Sequence, residues 1–238
     1  AVLTQKEMNV TVLEAQDNIL QRVVSPEVSN YFTALHQSFG VTVKTNAIAE
    51  VLEGTDKVTA VKCQSGEIIE ADMVIIGVGV LPETSLAEQS QLTVTNGISV
   101  NQYAQTSDPD IVSAGDCTNY FHEIYQSHVR LESIQNALDQ AKSAAAIINN
   151  KQISFVNNVP RFWSDQYDVK LQICGLIDGY DQIKIEHDID ERKLNALYIK
   201  EGKLIAAIAI NNPQFLAKAQ AIIKTNQSIA AEQLDELF

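Results

Sequence analysis

The 238 residues are 45% apolar, enough to bury a sizeable core in one or two domains, and they carry a formal charge of −13. That charge excludes the non-specific nucleic-acid binders, whose affinity comes from Lys and Arg set against phosphate, and otherwise implies no more than solubility. Cys63, Cys117 and Cys174 form no C-x-x-C pair, so spacing suggests neither a metal site nor a redox dithiol, and idle thiols point to a reducing cytoplasm. No apolar run approaches the roughly 18 residues of a membrane span, and none reads as a signal peptide.

Residues 1–7 have the composition of a helix tail, with Met8-Asn9 as its stop and Asn9 as a left-handed cap. Residues 10–13 read as a buried parallel strand that delivers Glu14 at its C-terminal end, where the ribose-binding acid of a Rossmann unit belongs. An ordinary solvated acid after a strand fits the same residues. Ser25-Pro26-Glu27 starts a helix: an N-cap serine, a proline at the first helical position and an acid in the first turn. It runs to Gly40, burying Val28, Tyr31, Phe32, Leu35 and Phe39 at three-and-four spacing and leaving His36 at the boundary. Runs at 41–45, 47–52, 57–63 and 67–70, separated by Gly54-Thr55-Asp56 and Ser65-Gly66, predict an antiparallel meander. Residues 73–76 are apolar throughout, as in a strand covered on both faces, and end in Gly77-Val78-Gly79.

A short helix is predicted over 82–89 and a strand pair over 92–100, turning at Asn96-Gly97. In residues 106–116 (TSDPDIVSAGD), Asp108-Pro109 turns the chain, 110–114 reads as a short strand, and Gly115-Asp116 ends it where backbone can approach a ligand closely. A buried strand closed by a turn aspartate is the plainer reading. Residues 119–129 read as a polar loop in which His122 and His128 have no partner at ligand spacing. Residues 133–150 predict a strong helix capped by Ser133, and 151–159 a linker. Strand-like runs at 168–174, 182–187, 194–199 and 203–210, then helices at 213–224 and 229–237, predict a separate α+β domain with Trp163 at its entrance.

Residues 72–82 (DMVIIGVGVLP), 106–116 and 160–167 (PRFWSDQY), in this order and spacing, resemble the C-terminal part of the FAD-dependent reductases that pass electrons from NADH to ferredoxins or rubredoxins. These belong to the glutathione-reductase-like flavoproteins, and the resemblance runs over nearly the whole chain. It implies an α/β fold: partial FAD- and NAD(P)-binding Rossmann-like domains followed by a small α+β reductase domain. The implied divisions are a partial NAD-binding domain at 1–79, the C-terminal part of an FAD-binding domain at 80–152, and the reductase domain at 153–238. For FAD, the resemblance implies that Asp116 accepts hydrogen bonds from the ribityl chain, that Ile134 offers a backbone contact where a helix start lies under the flavin, and that Trp163 packs beside the ring. For NAD it implies Glu14 at the ribose, Arg22 at the adenosine, Gly77, Val78 and Gly79 beside the nucleotide, and Glu132 near the nicotinamide. A lone surface Arg, simple helix capping at 132–134 and a core tryptophan are the structural alternatives.

Hydride transfer to FAD needs no acid or base from the protein, so no catalytic residue is expected, and Arg161 and Lys170, flanking Trp163, are expected to orient an acidic partner. No G-x-G-x-x-G occurs among the 10 glycines. In the family that loop lies just before a helix tail such as 1–7, so Ala1 is expected to stand just past it. The 238 residues alone are therefore expected to hold little FAD and to self-associate through sheet edges. Two other readings remain: a non-catalytic binding or assembly module of the same fold, and another flavoprotein class, of the nitrite-reductase or apoptosis-inducing-factor type. PRFWSDQY argues against the second.

Overall fold

The computed structural model describes residues 1–188 and 192–238 and divides the chain into two units, Ala1–Gly79 and Val80–Phe238. In the first unit, helix α1 (Val2–Gln5) ends with Glu7, not Asn9, in the left-handed region at φ 60°. Strand β1 (Thr11–Leu13), helix α2 (Pro26–Ser38) and strand β2 (Thr42–Lys44) form a parallel βαβ unit with Val12 opposite Val43. Pro26 starts α2 at its first helical position, with Ser25 at the N-cap in extended backbone though its side chain makes no capping hydrogen bond, and Val28, Phe32 and Leu35 are buried at helical spacing. Phe39 lies beyond the last helical residue and is exposed. The meander is β3 (Ala49–Glu53), β4 (Ala60–Cys63) and β5 (Ile68–Glu70) in that order. Residues 42–44, predicted as its first strand, instead pair with β1, because the helical crossover returns the chain parallel to it.

The predicted strand at 73–76 does not form. Met73, Ile75 and Ile76 are exposed, and no strand of either sheet in this unit pairs with them. An apolar run becomes a strand only where a neighbour offers its N–H and C=O groups.

In the second unit, helix α3 (Ser85–Gln89) leads to a sheet of β6 (Val94–Thr95), β7 (Gly97–Ser99), β8 (Thr118–His122) and β9 (Ser127–Val129), in the order β6-β7-β8-β9. The β6–β7 hairpin turns at Asn96-Gly97, where φ is 111° and a Cβ would lie 2.7 Å from the Cys117 carbonyl oxygen. Only glycine lets β7 lie so close to the start of β8. The strand predicted at 110–114 reduces to a bridge between Val112 and Gln105, tightened by the Ile111 N–H to Asp108 carbonyl bond of the turn. Residues 119–129, predicted as a loop, form the β8–β9 hairpin. Their polar side chains concealed it: Thr118, Asn119 and His122 are buried with hydrogen-bond partners, a cost of desolvation that a sequence pattern does not reveal.

Helix α4 (Ile134–Ile148) follows, capped by Ser133. Residues 151–159 are no linker. Phe155, Val156 and Val159 are buried, the first two in a core with Val100, Ala104, Tyr120, Leu131 and Ala144. Residues 161–166, within the PRFWSDQY stretch, add a fifth strand to the four predicted. An antiparallel sheet runs β10 (Arg161–Gln166), β11 (Val169–Gly175), β14 (Lys203–Ile210), β13 (Lys193–Lys200), β12 (Gln182–Asp188). Helix α5 (Pro213–Thr225) packs Phe215, Leu216, Ala219 and Ile223 on the face carrying Cys174, Leu197, Ala207 and Ala209, and α6 (Ala231–Asp235) adds Leu234 beside it. Burial among these pushes the Cys174 thiol up to about 12.

Candidate cofactor site

The second unit builds its polar centre around the Gly115-Asp116 turn. Gly115 has φ 95°, and a Cβ there would have only the Ala137 side chain as a neighbour, at 4.0 Å, so the backbone stands open to approach. Its N–H donates to Gln140 Oε1 at 2.6 Å, and Thr118 Oγ1 lies 2.9 Å from the same oxygen and 2.8 Å from the Gly115 carbonyl. Gln140 is fully buried on α4 and its Nε2 has no hydrogen-bond partner. The amide orientation is nonetheless fixed, because the donor of Gly115 demands the oxygen. The Asp116 side chain is exposed beside this anchored turn.

Two further candidates stand beside Asp116. Arg130 donates through Nη1 to the Asp116 carbonyl at 3.2 Å and to Glu132 Oε1 at 2.7 Å, and through Nε to Asn96 Oδ1 at 3.3 Å. Glu132 thus meets the Asp116 segment through one guanidinium. Ser133 accepts the Asn136 N–H at 3.1 Å, and Ile134, 64% exposed, opens the first turn of α4, where backbone N–H groups lack helical acceptors. Inward, α4 presents Asn136, Gln140 and Ser143; outward it exposes Ile134, Leu138 and Ile148. Ala144 and Ala146 are buried with the first three, so the inward face mixes polar and small apolar side chains.

Trp163 lies on β10, the edge strand, with 54% of its surface exposed. Pairing sets it opposite Gln172, with Arg161 opposite Cys174 and Asp165 opposite Lys170, so Arg161, Trp163 and Lys170 share one sheet face. Tyr125, in the β8–β9 turn, donates to the Ile205 carbonyl at 3.0 Å and accepts from the Leu176 N–H at 3.1 Å, tying the two sheets together. A Cβ on Gly175 would fall 2.9 Å from that hydroxyl. Burial raises the Tyr125 phenol well above its ordinary range and lowers His122 to about 4. His122 is neutral with both ring nitrogens used: Nε2 faces the Asn158 carbonyl at 3.1 Å and Nδ1 accepts from the Ile124 N–H at 3.3 Å. No group of His, Cys, Asp or Glu among the described residues could hold a metal.

In the first unit, Glu14 stands directly after β1 and accepts the Gln16 N–H at 2.9 Å through Oε1. Arg22 is exposed, and its Nη1 lies 3.8 Å from where a Cβ on Gly79 would sit, so residues 57 positions apart in sequence meet. Gly79 has φ 103°, whereas Val78, 92% exposed, and Gly77 stand in open chain.

Residues 1–141 match the family model described as pyridine nucleotide-disulphide oxidoreductase. The chain belongs to that family. Residues 161–237 match a second model, described as reductase C-terminal, which begins at β10. Among curated members, putidaredoxin reductase of Pseudomonas putida is 36% identical, over 94% of this chain and 53% of its own length. Rhodocoxin reductase of Rhodococcus erythropolis is 34% identical, over 98% and 55%. The crystal structure of the covalent putidaredoxin reductase–putidaredoxin complex superposes with a TM-score of 0.90 at 36% identity, over 95% of this chain and 55% of that one. A ferredoxin reductase from Rhodopseudomonas palustris gives 0.91 at 36%, over 98% and 58%. The chain therefore spans about half the length of the oxidoreductases it matches.

Arg130, Gln140 and Tyr125 carry no functional signal of their own in the sequence, and Asn96 is legible there only as a turn residue. Gln140 left a trace, since Asn136, Gln140 and Ser143 recur at helical spacing in an Ala-rich helix and a polar stripe there needs partners. Arg130 left none: Glu132 is its neighbour two residues on, but Asn96 and Asp116 lie on segments that only folding brings to it.

Proposed function

We propose that the protein carries electrons from NADH through FAD to a ferredoxin or rubredoxin. The observation that carries this reading is the presence, in one unit, of an anchored Gly115-Asp116 turn beside the start of α4 and an exposed tryptophan on the edge strand that opens the reductase C-terminal match. Relatives named putidaredoxin reductase, rhodocoxin reductase and rubredoxin-NAD(+) reductase support the choice of acceptor class.

FAD, when bound, supplies the redox chemistry, accepting a hydride and releasing electrons singly. The chain's residues fit such a group: an open glycine, an exposed carboxylate, a helix start with free N–H groups and an exposed indole. In this reading Asp116 accepts hydrogen bonds from the ribityl hydroxyls, the Ile134 backbone meets the ring, and Trp163 covers it from solvent. Glu14 takes the NAD ribose, Arg22 with Gly77, Val78 and Gly79 the rest of the nucleotide, and Glu132 lies at the nicotinamide. In this reading 1–79 is the NAD part, 80–152 the FAD part and 153–238 the reductase domain, with Phe155 and Val156 of the last packing into the core of the FAD part. No helix among the described residues is long and apolar enough to cross a membrane, and the three free thiols suit a reducing cytoplasm.

The test is to express the full-length protein. A yellow product whose flavin is bleached by NADH and which reduces an added ferredoxin or rubredoxin is expected. A colourless product inert to NADH would overturn the enzyme reading in favour of a binding module.

A further inference from the structure

We propose that Arg130 is a positioning residue that couples the Asp116 turn to Glu132, so that the flavin side and the nicotinamide side of the site are set by one guanidinium. The functional half of this inference rests on the reading above.

The geometry is that of a clamp. Nη1 serves the Asp116 carbonyl and the Glu132 carboxylate together, and Nε holds Asn96 of the β6–β7 turn. The Arg130 Cδ lies 3.1 Å from where a Cβ on Gly97 would sit, so the side chain rests against a position that only glycine leaves free. Asn96 is engaged from its other side as well, its carbonyl accepting from Asn119 Nδ2 at 3.4 Å. The Arg130 side chain is only 11% exposed and Glu132 29%, so this pair is less screened than a surface salt bridge. A planar fork with donors in fixed directions can hold Asn96 and Glu132 at once; an ammonium on a flexible stem cannot hold that geometry. The clamp also fixes the approach to α4, since Glu132 precedes the Ser133 cap and the Leu131 carbonyl accepts from Asn136 Nδ2 at 3.0 Å.

With Oε1 held by Arg130, the Glu132 carboxylate is oriented toward one direction instead of sampling all rotamers. Loss of Arg130 should therefore act through Glu132 on nucleotide binding and through Asp116 on the flavin. A purely structural role would lower stability without linking the two.

The experiment is a double-mutant cycle in the full-length holoprotein with R130Q, E132Q and the double variant, reading KM and kcat for NADH and the visible spectrum of the bound flavin. R130Q is expected to raise KM about ten-fold, the loss of a charge-assisted contact, with a smaller change in kcat and a shifted flavin band. The double variant should be no worse than the poorer single, because Glu132 is already unanchored. R130K, which keeps the charge and loses the fork, should fall between wild type and R130Q, and it replaces R130Q in the cycle if that variant does not fold. Independent, multiplicative effects, or a folded R130Q with wild-type KM and spectrum, would overturn the proposal while leaving the enzyme reading intact. A wild-type protein that NADH does not reduce would overturn both.

Discussion

His122 and Gln140 are polar groups buried for opposite reasons. His122 has its two nitrogens satisfied only in the neutral ring, between the Asn158 carbonyl and the Ile124 N–H, and it packs 4.8 Å from the Tyr125 ring centroid. Desolvation dominates, and its pKa falls from 6.5 to about 4. The unfolded chain therefore binds a proton that the folded one refuses, and stability falls as pH drops from about 6.5 towards about 4. Each pKa unit is worth about 1.4 kcal/mol, so the loss over that window should be a few kcal/mol for the second unit. Urea titrations followed by fluorescence of Trp163, which lies in that unit, should show it, and His122→Gln should flatten the dependence. An equally steep pH profile in the variant would assign the loss to other groups. Gln140, by contrast, fixes Gly115 with its oxygen and leaves its nitrogen unmatched, a cost the fold bears at the turn that presents Asp116.

At the scale of elements, β10 places Trp163 and Arg161 at a sheet edge rather than in a core. Alternation along the strand points Arg161, Trp163 and Asp165 outward and half-buries Phe162 and Ser164. Lys170 faces Asp165 across the ladder, so Arg161 stands as the less compensated cation on this face. In the full-length protein, Trp163→Ala is expected to alter flavin absorbance and slow acceptor reduction. Arg161→Glu should slow association with an acidic acceptor by about ten-fold at low salt and weaken its salt dependence, as steering charges do. Stopped-flow acceptor reduction across a salt series measures both; rates indifferent to salt and to Arg161→Glu would remove this face from docking.

Across the whole molecule, large apolar side chains stand in water along two contiguous stretches. Ile75, Ile76 and Val78 form one in the first unit, and Ile134, Leu138 and Ile148 follow one side of α4 as the other in the second. Isolated exposed apolar residues are ordinary, but contiguous ones favour association. The 238-residue polypeptide contains no G-x-G-x-x-G turn. It is therefore expected to sediment as a mixture of oligomers and to purify with far less than one FAD per chain. A monodisperse monomer that is yellow at full stoichiometry would show that these surfaces and the cofactor contacts are arranged otherwise.

The sequence by itself determined the helices that carry their own start signals, the glycine turn at Asn96-Gly97, the α/β class and the family. These rest on local chemistry: a cap, a proline, a residue that tolerates positive φ. Only the tertiary structure decided which apolar runs became strands. Residues 73–76 read as a strand and 161–166 did not, yet the second found a ladder in β11 while the first found none, because a strand is stable only through its neighbour. The same holds for Arg130. Glu132 stands two residues away, but Asn96 and Asp116 reach Arg130 from two other segments, and the hydrogen bonds that join them to it are properties of the packed chain and of no local pattern.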